Sequence, residues 1–241
     1  MSRLLPALTM TLMLGSFQVH AADSQSFDAA LGEAYAGYRA ATSYLRTGNP
    51  GLASLETASA LDAMKTAVAQ YGDTPPAPYA KDPAFKSTLS DIEGRLEKAL
   101  AQAEEGDTKA AADTLAPVRG MLYALRKRNG VRLYADCITE LNRAMEPLFK
   151  HRRTPPDLGN VEVRNQVTTE SRTYEDLVKD CRAMAPSRYE DDPEFRRLFD
   201  GTLESVQSMY PAIDSGEPGR VINVLRELRS FDRIIYFRFG G

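Results

Sequence analysis

Tyr79-Ala80-Lys81-Asp82-Pro83-Ala84-Phe85 returns 110 residues later as Tyr189-Glu190-Asp191-Asp192-Pro193-Glu194-Phe195. At that offset, without gaps, Gly106 matches Gly216, Leu115 matches Leu225, Arg119 matches Arg229, Arg128 matches Arg238 and Gly130 matches Gly240. Self-similarity at a fixed period marks a structural repeat, and this match runs over two helices and their turn. Within the motif, the Asp is placed to cap a helix and the Pro takes the first helical position, where its missing N–H removes no intrahelical bond. The Phe then opens an apolar stripe.

Outward from the motif, each copy reads as four helices. In the first, Phe27, Leu31, Ala34, Tyr38, Ala41 and Leu45 recur at helical spacing, and Gly48-Asn49-Pro50-Gly51 ends the run. Leu61, Met64, Val68 and Tyr71 form a second stripe. Phe85, Leu89, Ile92, Leu96, Ala99 and Ala103 form a third, closed by Gly106. Leu115, Val118, Leu122 and Leu125 form a fourth, in which Pro117 imposes a kink or a late start. The second copy repeats the scheme with Tyr134, Cys137, Ile138, Leu141, Met145 and Leu148, then Val163, Val167, Tyr174, Leu177, Cys181 and Met184. Phe195, Phe199, Val206, Tyr210 and Ile213 follow, and last Val221, Leu225, Leu228, Phe231, Ile235 and Phe239. Ile234-Ile235-Tyr236-Phe237 alone also reads as a strand. Short loops make neighbouring helices antiparallel. The expectation is an all-α chain of two tandem up-down four-helix bundles, residues 23–130 and 131–241, joined near Asn129-Gly130.

Residues 1–22 read as a signal peptide. Arg3 is followed by a short apolar run, Leu4 to Leu14, and by small residues that suit cleavage after Ala21 or Ala22. The run is too short to span a bilayer as a helix, so the protein is expected in the periplasm without a stable membrane anchor. The formal charge of −3 becomes −4 when Arg3 is removed, and no basic domain calls for a nucleic-acid partner.

The third-to-fourth helix segment of each copy resembles the cytochrome c prime family of periplasmic four-helix bundles. The likeness rests on Tyr79, Asp82-Pro83, Phe85, Gly106-Asp107 and Arg128, and on Tyr189, Asp192-Pro193, Phe195, Gly216 and Phe237-Arg238. It covers about half of each repeat. The resemblance implies a Cys-x-x-Cys-His motif before that last aromatic-Arg pair. In the second copy those places hold Ser230, Arg233 and Ile234, and in the first Gly120, Tyr123 and Ala124. Covalent haem needs two thiols and a ligand nitrogen at that spacing, so the resemblance implies a haemless relative, and no cofactor is expected.

Few residues suggest chemistry. Cys137 and Cys181 lie on apolar stripes of adjacent helices and read as a disulfide in an oxidising compartment; two buried thiols are the alternative. His151, within Lys150-His151-Arg152-Arg153, reads as a solvated loop histidine rather than a metal ligand. Arg119, Arg126, Arg128, Arg229 and Arg238 are candidates for an anion or inter-bundle site, against the structural alternative of helix-end and cross-bundle pairing. The methionines are scattered and read as core filler, and no metal site is expected. Inward positions are nearly all apolar, so the sequence points to a non-enzymatic protein that binds a small ligand or a protein partner. The other reading is a metal- or non-covalent haem-binding protein in electron transfer or metal handling.

Overall fold

The computed structural model describes residues 15–241, with side chains placed from Ser24 onward. Every regular element among the described residues is helical. The apolar run read as a signal peptide lies outside them, and among the described residues no helix is long and apolar enough to cross a membrane.

Helices α1 (Gly15–Arg46), α2 (Pro50–Tyr71), α3 (Phe85–Glu104), α4 (Thr108–Leu115) and α5 (Val118–Arg128) enclose one core. The expected first stripe is buried at all six positions, Phe27 through Leu45. Close approach of α1 to α2 depends on Gly37, where a Cβ would lie 2.9 Å from the Glu56 carbonyl oxygen and 3.0 Å from the Ala60 nitrogen. Pro117 ends the fourth stripe's first segment, and the helix restarts at Val118. Tyr79, in the segment after α2, packs with Phe27 of α1 and Phe85 of α3 in an aromatic cluster with ring centroids 5.0–5.5 Å apart.

Helices α6 (Tyr134–Lys150), α7 (Val161–Ala183), α8 (Ser187–Glu190), α9 (Pro193–Gln207), α10 (Met209–Asp214) and α11 (Pro218–Phe239) enclose a second core. The third stripe, expected to run through Ile213, breaks at Ser208. Pro211 explains the break: it has no N–H for the Gln207 carbonyl, four residues back, and its ring crowds that oxygen. Ile234–Phe237 is helical. Cys137 and Cys181 form a disulfide between α6 and α7, with a Cα–Cα distance of 5.4 Å.

The capping expectation holds in the second motif and shifts in the first. The Asp192 carboxylate accepts from the Glu194 and Phe195 nitrogens, with Pro193 opening α9. Helix α3 instead starts at Phe85. There the Asp82 carboxylate is drawn toward α5, accepting from Arg128 Nε at 2.6 Å and Asn129 Nδ2 at 2.7 Å as well as from the Ala84 nitrogen. Those donors hold its carboxyl below the usual carboxylate range against the cost of burial.

The expected joint at Asn129-Gly130 is a full interruption. Gly130 takes a positive φ of 70°, a conformation that disfavours a side chain, and α6 begins at Tyr134. The two cores then meet along a seam made by α1 and α5 on one side and α6 and α11 on the other.

Candidate functional site

The seam is polar, and it is where the candidate arginines divide. Arg126, 4 % exposed, reaches from α5 to Asp136 on α6, itself 2 % exposed. Arg126 Nε and Nη2 both bond the carboxylate, at 2.7–2.9 Å, and Asp136 also accepts from the Leu133 nitrogen at 2.9 Å, satisfying one free N–H at the start of α6. Arg119 Nε donates to Thr139 Oγ1 at 2.9 Å, and its guanidinium lies 4.2 Å from the centre of the Tyr236 ring. Arg143 stacks on Tyr123, whose hydroxyl donates to Glu140.

The other three candidates lie apart from the seam pair. Arg128 holds Asp82 inside the first unit. Arg229 pairs with Glu146 at 2.7 Å and approaches Asp232 at 3.5 Å. Arg238 pairs with Glu194 at 3.2 Å. The structure thus brings Arg119 and Arg126 to the inter-unit seam and commits Arg128, Arg229 and Arg238 to pairs within a unit. His151 is not solvated as expected: its Nε2 lies 3.0 Å from Glu170, both side chains largely buried.

Along one side of the seam runs a cleft of about 500 Å³. Asp28, Leu31, Glu33 and Tyr35 of α1 line it, together with Arg126 of α5, Tyr134 at the start of α6, and Arg188. Sequence reading missed Asp28, Tyr134 and Arg188 as a set, because three separate segments bring them together. Asp28 is half-buried, accepts from the hydroxyl of buried Tyr79 at 3.3 Å, and has its carboxyl pushed above 3.8, mainly by loss of hydration. Tyr134 is 8 % exposed, and its hydroxyl has no protein partner. A buried hydroxyl without a partner is costly and calls for an acceptor from outside the protein. Arg188 covers the Tyr189 ring, 4.6 Å from its centre. The cleft therefore presents the carboxylates of Asp28 and Glu33, the guanidinium groups of Arg126 and Arg188, and the Tyr134 hydroxyl, with apolar side chains among them.

A second polar group was also missed. Asp232, 2 % exposed, lies in the apolar stripe of α11, four residues after Leu228 and three before Ile235; that position was the available signal. It accepts from Asn142 Nδ2 at 2.5 Å. Burial outweighs this bond and the charge of Arg229, and pushes the carboxyl from 3.8 to about 6. A folded-state value above the unfolded one means that folding favours the protonated form. The stability this lends is full below pH 4 and is lost as pH rises through 6. Asp232→Asn, which keeps the shape, is expected to flatten that dependence and to be more stable than wild type at pH 8 by about 3 kcal/mol. Chemical denaturation at pH 4, 6 and 8 checks this; parallel pH profiles for the two proteins would rule the titration out.

At the positions where the cytochrome c prime resemblance places haem ligands, Ser230 and Arg233 are exposed, Ile234 packs on the second core and Tyr123 is buried in the seam. These residues do not fit a c-type haem. No protein-family model matches the chain, and no solved structure matches it. A curated relative, the D-aminoacyl-tRNA deacylase of Paraburkholderia xenovorans (strain LB400), is 29% identical over 126 residues, which are 52% of this chain and 71% of the relative. This similarity to a protein named as an enzyme overturns the expectation of a non-enzymatic protein.

Proposed function

We propose that the protein binds a small amine-bearing ligand in the seam cleft, with the amine at Asp28 and an oxygen acceptor at Tyr134 and Arg188. The observation that carries this reading is the partnerless Tyr134 hydroxyl in the wall of a cleft that also holds a half-buried carboxylate. Buried polar groups without partners are uncommon, and a ligand is one of the few things that supply one. Leu31, Leu133 and Pro186 add apolar lining to the cleft, as small-molecule sites have.

A second reading, favoured by the deacylase-named relative, is that the cleft hydrolyses an aminoacyl ester. Asp28, its carboxyl raised by burial, would take the proton of an attacking water. Tyr134 and Arg188 would donate to the carbonyl oxygen as it gains charge, and the ester C–O bond would break to leave an amino acid and an alcohol.

The same chain is, on our reading, a tandem pair of cytochrome c prime-like four-helix bundles, residues 23–130 and 131–241, exported to the periplasm. Burial with the sequence period supports the duplication: Phe85, Leu89, Leu96, Leu115 and Val118 are buried, and so are Phe195, Phe199, Val206, Leu225 and Leu228. Gly106 and Gly216 both turn with positive φ, 82° and 71°. The disulfide fits an oxidising compartment.

Titration calorimetry with D- and L-phenylalanine amide tests the binding reading. The free amide is expected to bind, its N-acetyl derivative not, and Asp28→Asn to weaken binding tenfold or more, about 1.4 kcal/mol. Affinity is expected to fall on acidification at a higher pH than an ordinary carboxylate would give, because Asp28 is raised. Equal behaviour of the free and acetylated amides would sink the reading. Release of D-amino acid from a D-aminoacyl ester, lost in Asp28→Asn, would establish the second; binding without release would remove it.

A further inference from the structure

Further along α1 lies a second cleft, about 370 Å³, between α1, α4, α5 and α11. Its lining includes three arginines, Arg39, Arg46 and Arg119, and no acidic residue. Arg39, Thr42, Ser43 and Arg46 fall at positions i, i+3, i+4 and i+7, so α1 presents them on one face.

Two of the guanidinium groups are fixed in place without being neutralised. Arg39 is 8 % exposed; its Nη1 donates to the carbonyl oxygens of Tyr236 and Phe237 at 2.9 and 3.0 Å, and its Nη2 to the Gly241 oxygen at 3.4 Å. Arg119 is held by Thr139 Oγ1 and the Tyr236 ring. Neither makes an ion pair among the described residues. Asp232 feels the charge of Arg119 from inside the second unit without reaching ion-pair distance. On each of the two groups a buried N–H is left over: Arg39 Nε and Arg119 Nη2 have no acceptor in the protein. Buried charge is retained in proteins where something pairs it, and a guanidinium offers donors in a geometry that suits oxyanions.

We propose that this second cleft is an oxyanion site that takes a phosphate or a small phosphate monoester, held by Arg39, Arg119 and Arg46. A dianion is favoured over a carboxylate because three cations face one another with no acid among them. The Tyr236 and Phe237 side chains and Ala116 supply an apolar wall for the organic part of an ester. The site is separate from the amine-binding cleft and stands or falls independently of it. Only Arg119 of the five sequence candidates belongs to it; Arg39 and Arg46 do not show in the repeat pattern.

The test is titration calorimetry of the full mature chain with inorganic phosphate, and in parallel with acetate and chloride at matched ionic strength. Saturable phosphate binding is expected, weakening steeply with added salt. Arg46→Gln, at the exposed rim and without a cross-seam contact, is expected to weaken it about fivefold with the melting temperature unchanged; Arg119→Gln is expected to weaken it tenfold or more. If Arg119→Gln fails to fold, Arg46→Gln decides alone. Acetate binding as tight as phosphate would overturn the assignment to a dianion. Phosphate affinity unaltered in Arg46→Gln, or no saturable binding beyond that of chloride, would overturn the site.

Discussion

Asp136→Asn is expected to destabilise the protein by about 3–5 kcal/mol, the largest effect of any single seam substitution. The reason is the position of its partner. Arg126 is 4 % exposed and spends two of its nitrogens on Asp136, so neutralising the acid leaves a guanidinium buried with half its bonding lost. The reverse change, Arg126→Met, leaves the carboxylate stranded and is expected to cost as much. Replacing both with apolar residues of similar size is expected to recover most of the loss, because a pair taken out together leaves no uncompensated charge. A double-mutant cycle in urea at pH 7 reads all three; losses that simply add would show that the pair does not act as a unit. The same variant reports on the amine cleft. Asp136 raises the Asp28 carboxyl and Arg126 lowers it, so Asp136→Asn is expected to move the acid limb of amide binding to lower pH.

Reduction of the Cys137–Cys181 bridge is expected to be nearly as costly. The cysteines are 44 residues apart, and a loop of that length released in the unfolded chain corresponds to about 4 kcal/mol in the chain-entropy account. The loop spans most of α6 and α7, so the loss falls on the second core. Thermal unfolding with and without reductant, and of Cys137→Ala/Cys181→Ala, is expected to show the second unit melting ahead of the first. A reduced protein with an unchanged melting curve would mean that the loop is held closed by packing alone.

The helices were legible because their apolar positions repeat every three to four residues, the period that a helix of 3.6 residues per turn shows when one face is buried. Breaks at Pro117 and before Pro211 follow from one missing N–H each, the first of them foreseen. The shifted start of α3 was not legible, since it depends on Arg128 and Asn129 arriving from another helix to occupy Asp82. The arginine set was half legible. Its positions on the fourth helices showed, but which acid each would reach depends on how the units dock. The amine cleft was not legible at all: Asp28, Tyr134 and Arg188 belong to no shared stripe or motif and meet only across the seam.

Arg39 has one further consequence, which concerns time rather than geometry. It joins α1 to the end of α11 through bonds between residues 197 to 202 positions apart. The first core is made of residues 27–125 and can form while the rest of the chain is still being made; the second needs α11, up to Phe239. So does the seam. Both clefts stay unbuilt until residues near 240 are available, and contacts so distant along the chain close slowly. The clefts are therefore the last features of this protein to take shape, and a chain stopped short of α11 has one complete core and neither cleft.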